Sequence, residues 1–119
     1  MPMQQHPFTV RSKVWIEDEM GNVVFGLGRY RMLDTIRRTG SLNAAAKELR
    51  MSYRALWMRI RSSEQRLGKT LVERIGNGSQ LTPFAQQLMT QFKLLQNRVN
   101  QDSDAYFAAT MSDCFAASD

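Results

Sequence analysis

From Phe8 to Ile16 apolar and polar positions alternate: Phe8, Val10, Val14 and Ile16 fall on one side, Thr9, Arg11, Lys13 and Glu17 on the other. A period of two is that of a strand with one covered face. Asp18 to Asn22 supplies a turn with Gly21, and Val23 to Phe25 returns, so an N-terminal β-hairpin is expected. Gly26-Leu27-Gly28 interrupts it, and the period then lengthens. Tyr30, Leu33 and Ile36 put an apolar stripe on a helix from about Arg29 to Thr39, and Gly40 stands where a left-handed residue ends such a helix.

The next stretch carries the spacing of a helix-turn-helix. Ser41 can cap a short helix whose Ala45, Ala46 and Leu49 form a narrow inner face, Met51 lies in the turn, and Ser52 can cap a second helix. Small residues suit two helices that cross steeply over a short turn and must approach closely. Leu56 and Ile60 share the buried face of the second helix, which leaves Tyr53, Arg54, Trp57, Met58 and Arg61 outward. That mixture of aromatic, thioether and guanidinium groups suits a helix laid in a major groove better than a solvated face. Gly68 closes the helix, Leu71 to Ile75 reads as a strand, and Gly76-Asn77-Gly78-Ser79 as a hairpin tip, with Asn77-Gly78 as the turn signal. Gln80 and Leu81 can pair back. The ribbon makes a wing with Arg74 at its root and Asn77 at a small tip able to approach a phosphate or the minor groove.

Thr82-Pro83 is a sharp helix start, Thr as N-cap and Pro in the first turn. Ala85, Leu88, Phe92, Leu95 and Val99 then follow at alternating spacings of three and four, an a/d seam over two heptads. It can close the core of one chain or join two; the length of the helix favours a homodimer. Beyond about Ala109 the pattern fades into a small, acidic ending, expected to fray and to be a natural terminus.

Charge follows the same division. The 119 residues carry a net charge of +5, and Arg50 to Arg74 holds seven basic residues against Glu64 and Glu73. From Gln101 to Asp119 there are four aspartates and no lysine or arginine. A basic block coinciding with a recognition-helix pattern points to a polyanion. Catalytic chemistry has little to stand on: the only histidine is His6, the only cysteine is Cys114, and Glu17-Asp18-Glu19 sits at a hairpin turn. No catalytic residue, metal site or cofactor is expected. Without a secretory signal or a spanning apolar run, the expected location is the cytoplasm.

Taken together, Ser41-Leu-Asn-Ala-Ala-Ala46, Ser52-Tyr-Arg-Ala-Leu-Trp57, Leu71-Val-Glu-Arg74 and Leu81-Thr-Pro83 resemble the winged helix-turn-helix of LysR-type regulators, and more closely the N-terminal domain of ModE-type, molybdate-responsive regulators. Val14-Trp15-Ile16-Glu17 and the Gly26-x-Gly28 lead lean the same way. The resemblance runs from about Phe8 to Val99. It implies an α+β, mainly α, fold: a winged helix-turn-helix with an N-terminal β-hairpin and a long C-terminal dimerisation helix, acting as a homodimer on operator DNA. The expected division is an N-terminal segment and hairpin (1–27), winged helix-turn-helix (28–81), dimerisation helix (82–109) and disordered tail (110–119). The resemblance further implies that Ser41 holds a phosphate, that Ser52, Tyr53, Arg54, Trp57 and Met58 sit where the recognition helix faces the groove, and that Arg74 is the wing arginine. For Trp57 the core and DNA-facing readings both stand. The wing tip is shorter than the glycine-rich loop of many ModE relatives, and nothing after Val99 could build their molybdate-binding β-barrel. The rival reading is an adaptor that turns the same winged-helix surface, or the C-terminal helix, to a protein partner.

Overall fold

The computed structural model describes residues 7–116. They divide into two compact units: Trp15–Phe92, and one in which the segment ending at Val14 lies with the chain from Lys93 onward.

In the first unit, β1 (Ile16–Glu17) pairs antiparallel with β2 (Val23–Phe25), and the order continues through α1 (Leu27–Thr39), α2 (Leu42–Glu48), α3 (Tyr53–Leu67), β3 (Val72–Ile75) and β4 (Gly78–Leu81) into α4 (Pro83–Thr110). The expected hairpin exists, but its first strand is two residues long. Phe8 and Ile16, assigned to a covered face, are exposed, and Val10 and Val14 are half-buried. The physical reason is the return strand: three residues of β2 can pair with no more than the end of the alternating run. The Asp18 turn is self-contained, since its carboxylate accepts the amides of Met20 and Asn22, both at 2.9 Å. Those bonds, that from Asn22 foremost, hold the Asp18 carboxyl below the usual range.

Helix α1 begins two residues earlier than its apolar stripe suggests, with Gly26 at its N-cap. Leu33 and Ile36 are fully buried, as are Leu56 and Ile60 of α3; Ala45 and Ala46 let α2 approach α1 and α3. Each cap falls where the sequence puts it. Ser41 accepts the Ala44 amide at 3.2 Å, Ser52 that of Ala55 at 3.0 Å, and Gly40 and Gly68 end α1 and α3 in the left-handed region. In the turn between α2 and α3 the left-handed position is occupied by Arg50, φ 57°, the one non-glycine residue of that kind among those described.

The wing differs from expectation by one residue. Ile75 faces Gly78, so the two-residue loop is Gly76-Asn77 and not Asn77-Gly78. The positive φ of 59° falls at Gly76, the first loop position, as in turns that place their glycine first. Gly78 is thereby free for another duty: β4 runs beside the end of α1, and the Ser79 amide donates to the Gly40 carbonyl at 2.9 Å.

The acid Glu64, which in the sequence only offsets the basic block, is a buried tie. One carboxylate oxygen accepts the Leu71 and Val72 amides at 2.7 and 3.2 Å, the other the Arg61 guanidinium at 2.7 Å. It anchors the start of β3 to α3. Thr82 plays a similar part at α4, accepting the Ala85 amide at 3.1 Å while donating to the Thr70 carbonyl at 2.7 Å.

The a/d seam assigned to dimerisation divides. Ala85 and Phe92, together with Met89, are buried within one chain, and the Phe92 ring meets Phe25 edge-on at 5.1 Å and Tyr30 at 6.2 Å. These two seam positions are core residues; an aromatic already covered on its own chain has no surface left to offer a partner. Leu88 and Val99 are half-buried and Leu95 is exposed.

In the second unit, the Gln96 side chain grips the extended segment: it accepts the Val14 amide at 3.0 Å and donates to the Ser12 carbonyl at 3.2 Å. Side-chain amides here satisfy the backbone that no strand pairs. Where a frayed tail was expected from 110, the chain forms a short helix, α5 (Ser112–Ala116), whose Phe115 stacks on Phe107 at 6.0 Å and meets Phe8 at 4.9 Å. Residues 117–119, and His6, lie outside the described residues.

Candidate nucleic-acid interface

Helix α3 carries the face that its periodicity implies. Arg54 and Met58, one turn apart, are exposed, Met58 by 59 %. Neither a hydrogen bond nor an ion pair holds Arg54 among the described residues, so its five donors are free.

Beside this row lie Tyr53, Trp57 and Arg61. Trp57 is half-buried, and the Arg61 guanidinium sits over its ring at 4.0 Å while donating to Glu64 at 2.7 Å. Trp57 is therefore neither fully core nor fully presented: one face of the indole is taken by Arg61. Arg61 is likewise engaged, and its charge is partly matched by Glu64.

The wing comes alongside the start of α3. The Arg74 guanidinium donates to the Tyr53 hydroxyl, joining the root of the ribbon to the first turn of the helix. Ser41, Tyr53, Arg74 and Asn77 meet around one recess of about 270 Å³, with Leu42, Asn43, Gly78 and Ser79 completing its wall. Four residues singled out from sequence for different reasons thus share one concavity. Asn43 is the member that sequence reasoning passed over; its signal was an exposed amide in the first turn of α2, directly after the Ser41 cap. Ser52 spends its hydroxyl on the α3 cap and stands at the rim of the same face. The recess has donors from Arg74, Asn77 and the start of α2, and no acidic residue among its lining, so what fits it is an anion.

Among the described residues no group of three or more His, Cys, Asp and Glu is placed to hold a metal ion. Cys114 is exposed and free. No helix among the described residues is long and apolar enough to cross a membrane.

The chain is similar in sequence and in fold to known proteins. The family model described as bacterial regulatory helix-turn-helix protein, lysR family, matches residues 27–86, the span from the start of α1 into α4. The molybdenum transport protein ModE of Herbaspirillum seropedicae is 35% identical over 74 residues, 58% of this chain and 28% of that protein. The transcriptional regulator ModE of Haemophilus influenzae is 33% identical over 73 residues, 57% of this chain and 29% of that one. Each match takes in less than a third of the relative's length. Among solved structures, the DNA-binding domain of CbnR in a complex with DNA superposes with a TM-score of 0.56 at 22% identity, covering 71% of this chain and 98% of that one. That likeness bears on the fold alone.

Proposed function

This chain belongs to the lysR family of bacterial regulatory helix-turn-helix proteins, and from that premise we propose that it binds double-stranded DNA sequence-specifically, as a homodimeric transcriptional regulator of the cytoplasm. The observation that carries the reading is the free Arg54 guanidinium beside exposed Met58 on α3, flanked by an acid-free recess at Ser41, Tyr53, Arg74 and Asn77.

In this reading α3 enters the major groove. Arg54 grips guanine O6 and N7, an interaction worth about 1–3 kcal/mol of discrimination. Met58 and the open face of Trp57 meet base edges and thymine methyl groups. Ser41, Asn43, Arg74 and Asn77 hold backbone phosphates on either side and set the register without reading sequence. Arg61 adds charge over the groove while steadying Trp57. Residues 28–81 form the reading head and 82–109 the dimerisation helix, and β2 of the N-terminal hairpin braces α1 and α3. Two-fold pairing would set two recognition helices roughly 34 Å apart, so the target is an inverted repeat. The relatives named ModE support a kindred regulatory role.

The test is selection of fragmented genomic DNA by the purified chain at physiological salt, followed by sequencing. A shared inverted repeat is expected. Uniform recovery that vanishes on modest salt addition would mean non-specific binding. No recovery would overturn the reading and favour an adaptor whose Tyr53, Trp57 and Met58 face a protein.

A further inference from the structure

On the flank of α3 away from Arg54, Arg29 of α1 meets Ser63, and Arg59 and Arg66 share that face of the helix. Ser63 is 2 % exposed, and its hydroxyl accepts Arg29 Nε from α1 at 2.7 Å. Arg59 and Arg66 stand four residues before and three after Ser63 on α3, the spacings that put side chains on one face. Arg66 is further tied to the Val23 carbonyl of β2 at 2.8 Å. Arg29 and Arg66 thus spend donors on neutral oxygens, which satisfy them without matching their charge.

Elsewhere some arginines are matched by acids and others, Arg54 and Arg74 among them, have no ion pair among the described residues. Arg37, Arg38, Arg61 and Arg98 each have a carboxylate within ion-pair distance. No described carboxylate forms an ion pair with Arg29, Arg59 or Arg66; Asp18 acts on Arg66 only through space, and its carboxylate accepts the amides of its own turn. Arg29 also lies in the first turn of α1, where the helix dipole disfavours a cation and no acid is present. Burial first, then the neighbouring Arg59 and Arg66, hold Arg29 below the ordinary arginine range. Arg29 sits at a positive helix end with two like charges near it, which is destabilising by itself, and a bound anion would relieve that repulsion.

We propose that Arg29, Arg59 and Arg66 form a second anion site, separate from the groove-reading face, that takes a phosphate group. At about 100° per residue, Arg59 and Arg66 lie roughly 120–140° round α3 from Arg54, so a duplex seated on Arg54 and Met58 does not cover them. The phosphate comes either from a free phosphoryl ligand or from the backbone of DNA that continues past the segment read by α3. Planar guanidinia with paired donors suit either one.

Inorganic phosphate and Arg59→Gln test the site, because the Arg59 side chain is exposed and makes no hydrogen bond or ion pair among the described residues. Against chloride at equal ionic strength, phosphate at ten times its dissociation constant should raise the wild-type Tm by about 6 °C beyond any rise in R59Q. General stabilisation by excluded phosphate is common to both proteins and cancels. Arg59→Glu should raise the Tm in chloride and abolish the phosphate response, since the protein then supplies the anion itself. Equal phosphate responses in wild type and both variants overturn the site. This arm does not depend on DNA binding, so its failure and that of the proposed function are distinguishable.

A second arm separates the sources. If R59Q binds a minimal duplex normally but loses about tenfold on one extended by a helical turn at each end, the phosphate belongs to DNA. If both duplexes bind normally while the phosphate response is lost, the ligand is free. Equal loss on both duplexes would put Arg59 in the groove-reading surface and overturn a separate site.

Discussion

The carbonyl oxygen of Gly40 lies 2.8 Å from the point where a Cβ on Gly78 would stand. That oxygen also accepts the Ser79 amide at 2.9 Å, so the wing is stapled to the end of α1 by a bond that requires a bare α-carbon next door. Gly78→Ala puts a methyl group against a backbone oxygen that cannot turn aside. The variant should lose about 1–3 kcal/mol of stability, measured by urea denaturation. Gly28, with open space around its α-carbon, is the control: Gly28→Ala should be neutral or stabilising by up to about 1 kcal/mol. If the two substitutions cost the same, the staple has no energetic weight.

Glu64 is the second point at which the wing depends on the recognition helix. Truncation to alanine leaves the Leu71 and Val72 amides without an acceptor in the interior and frees Arg61 from its carboxylate. Unsatisfied buried donors cost about 1–3 kcal/mol each, partly offset by relaxation, so Glu64→Ala should destabilise by roughly 2–4 kcal/mol. Hydrogen exchange offers a residue-level check: the Leu71 and Val72 amides should lose protection before the interior of α1 does.

How much of this was legible in the sequence follows from how local each signal is. Caps and stops act over four residues, so Ser41, Ser52, Gly40 and Gly68 could be placed from spacing alone, and the structure has them there. The outward row on α3 was equally readable, because Leu56 and Ile60 fix the phase of the helix. What escaped is what depends on a distant partner. The return strand was read at Val23 to Phe25, where it stands, but nothing near Phe8 to Trp15 says how little of the alternating run it will pair, and nothing in the α4 heptads says that Phe25 and Tyr30 will take Phe92. In the sequence Glu64 only offset the basic block, because the amides it accepts, those of Leu71 and Val72, lie across a turn. The recess uniting Ser41 with Arg74 and Asn77 likewise needs the wing folded beside α2, which no single stretch encodes.

Burial of Phe92 changes how dimerisation through α4 is to be tested. Phe92→Asp would place a charge against Phe25 and Tyr30, and should cost upwards of about 4 kcal/mol and unfold the chain. Leu94 and Leu95, exposed by 57 % and 45 %, are apolar positions of α4 near the seam with surface to give, as is Tyr106 further along at 71 %. Leu95→Asp should leave the circular dichroism spectrum unchanged and weaken self-association at least tenfold in sedimentation equilibrium. A wild-type chain that sediments as a monomer at micromolar concentration would remove the dimer altogether.

Arg54 and Arg74 should fail in different ways, and the difference separates reading from holding. Arg54 projects free from α3, and if it reads a base as proposed, Arg54→Ala should cost about 1–3 kcal/mol on the preferred site and relax preference at one base pair. Arg74 is held by Tyr53 at the rim of the acid-free recess, which suits a phosphate. Arg74→Ala should weaken all sequences alike and reduce the slope of log affinity against log salt by about 0.9, the contribution of one phosphate contact. Titration of a matched and a mismatched duplex at several salt concentrations reads both effects in one series. Should Arg54→Ala lower affinity uniformly with a reduced salt slope, its guanidinium sits on a phosphate, and the base-reading part of the face must be sought at Met58 and Trp57.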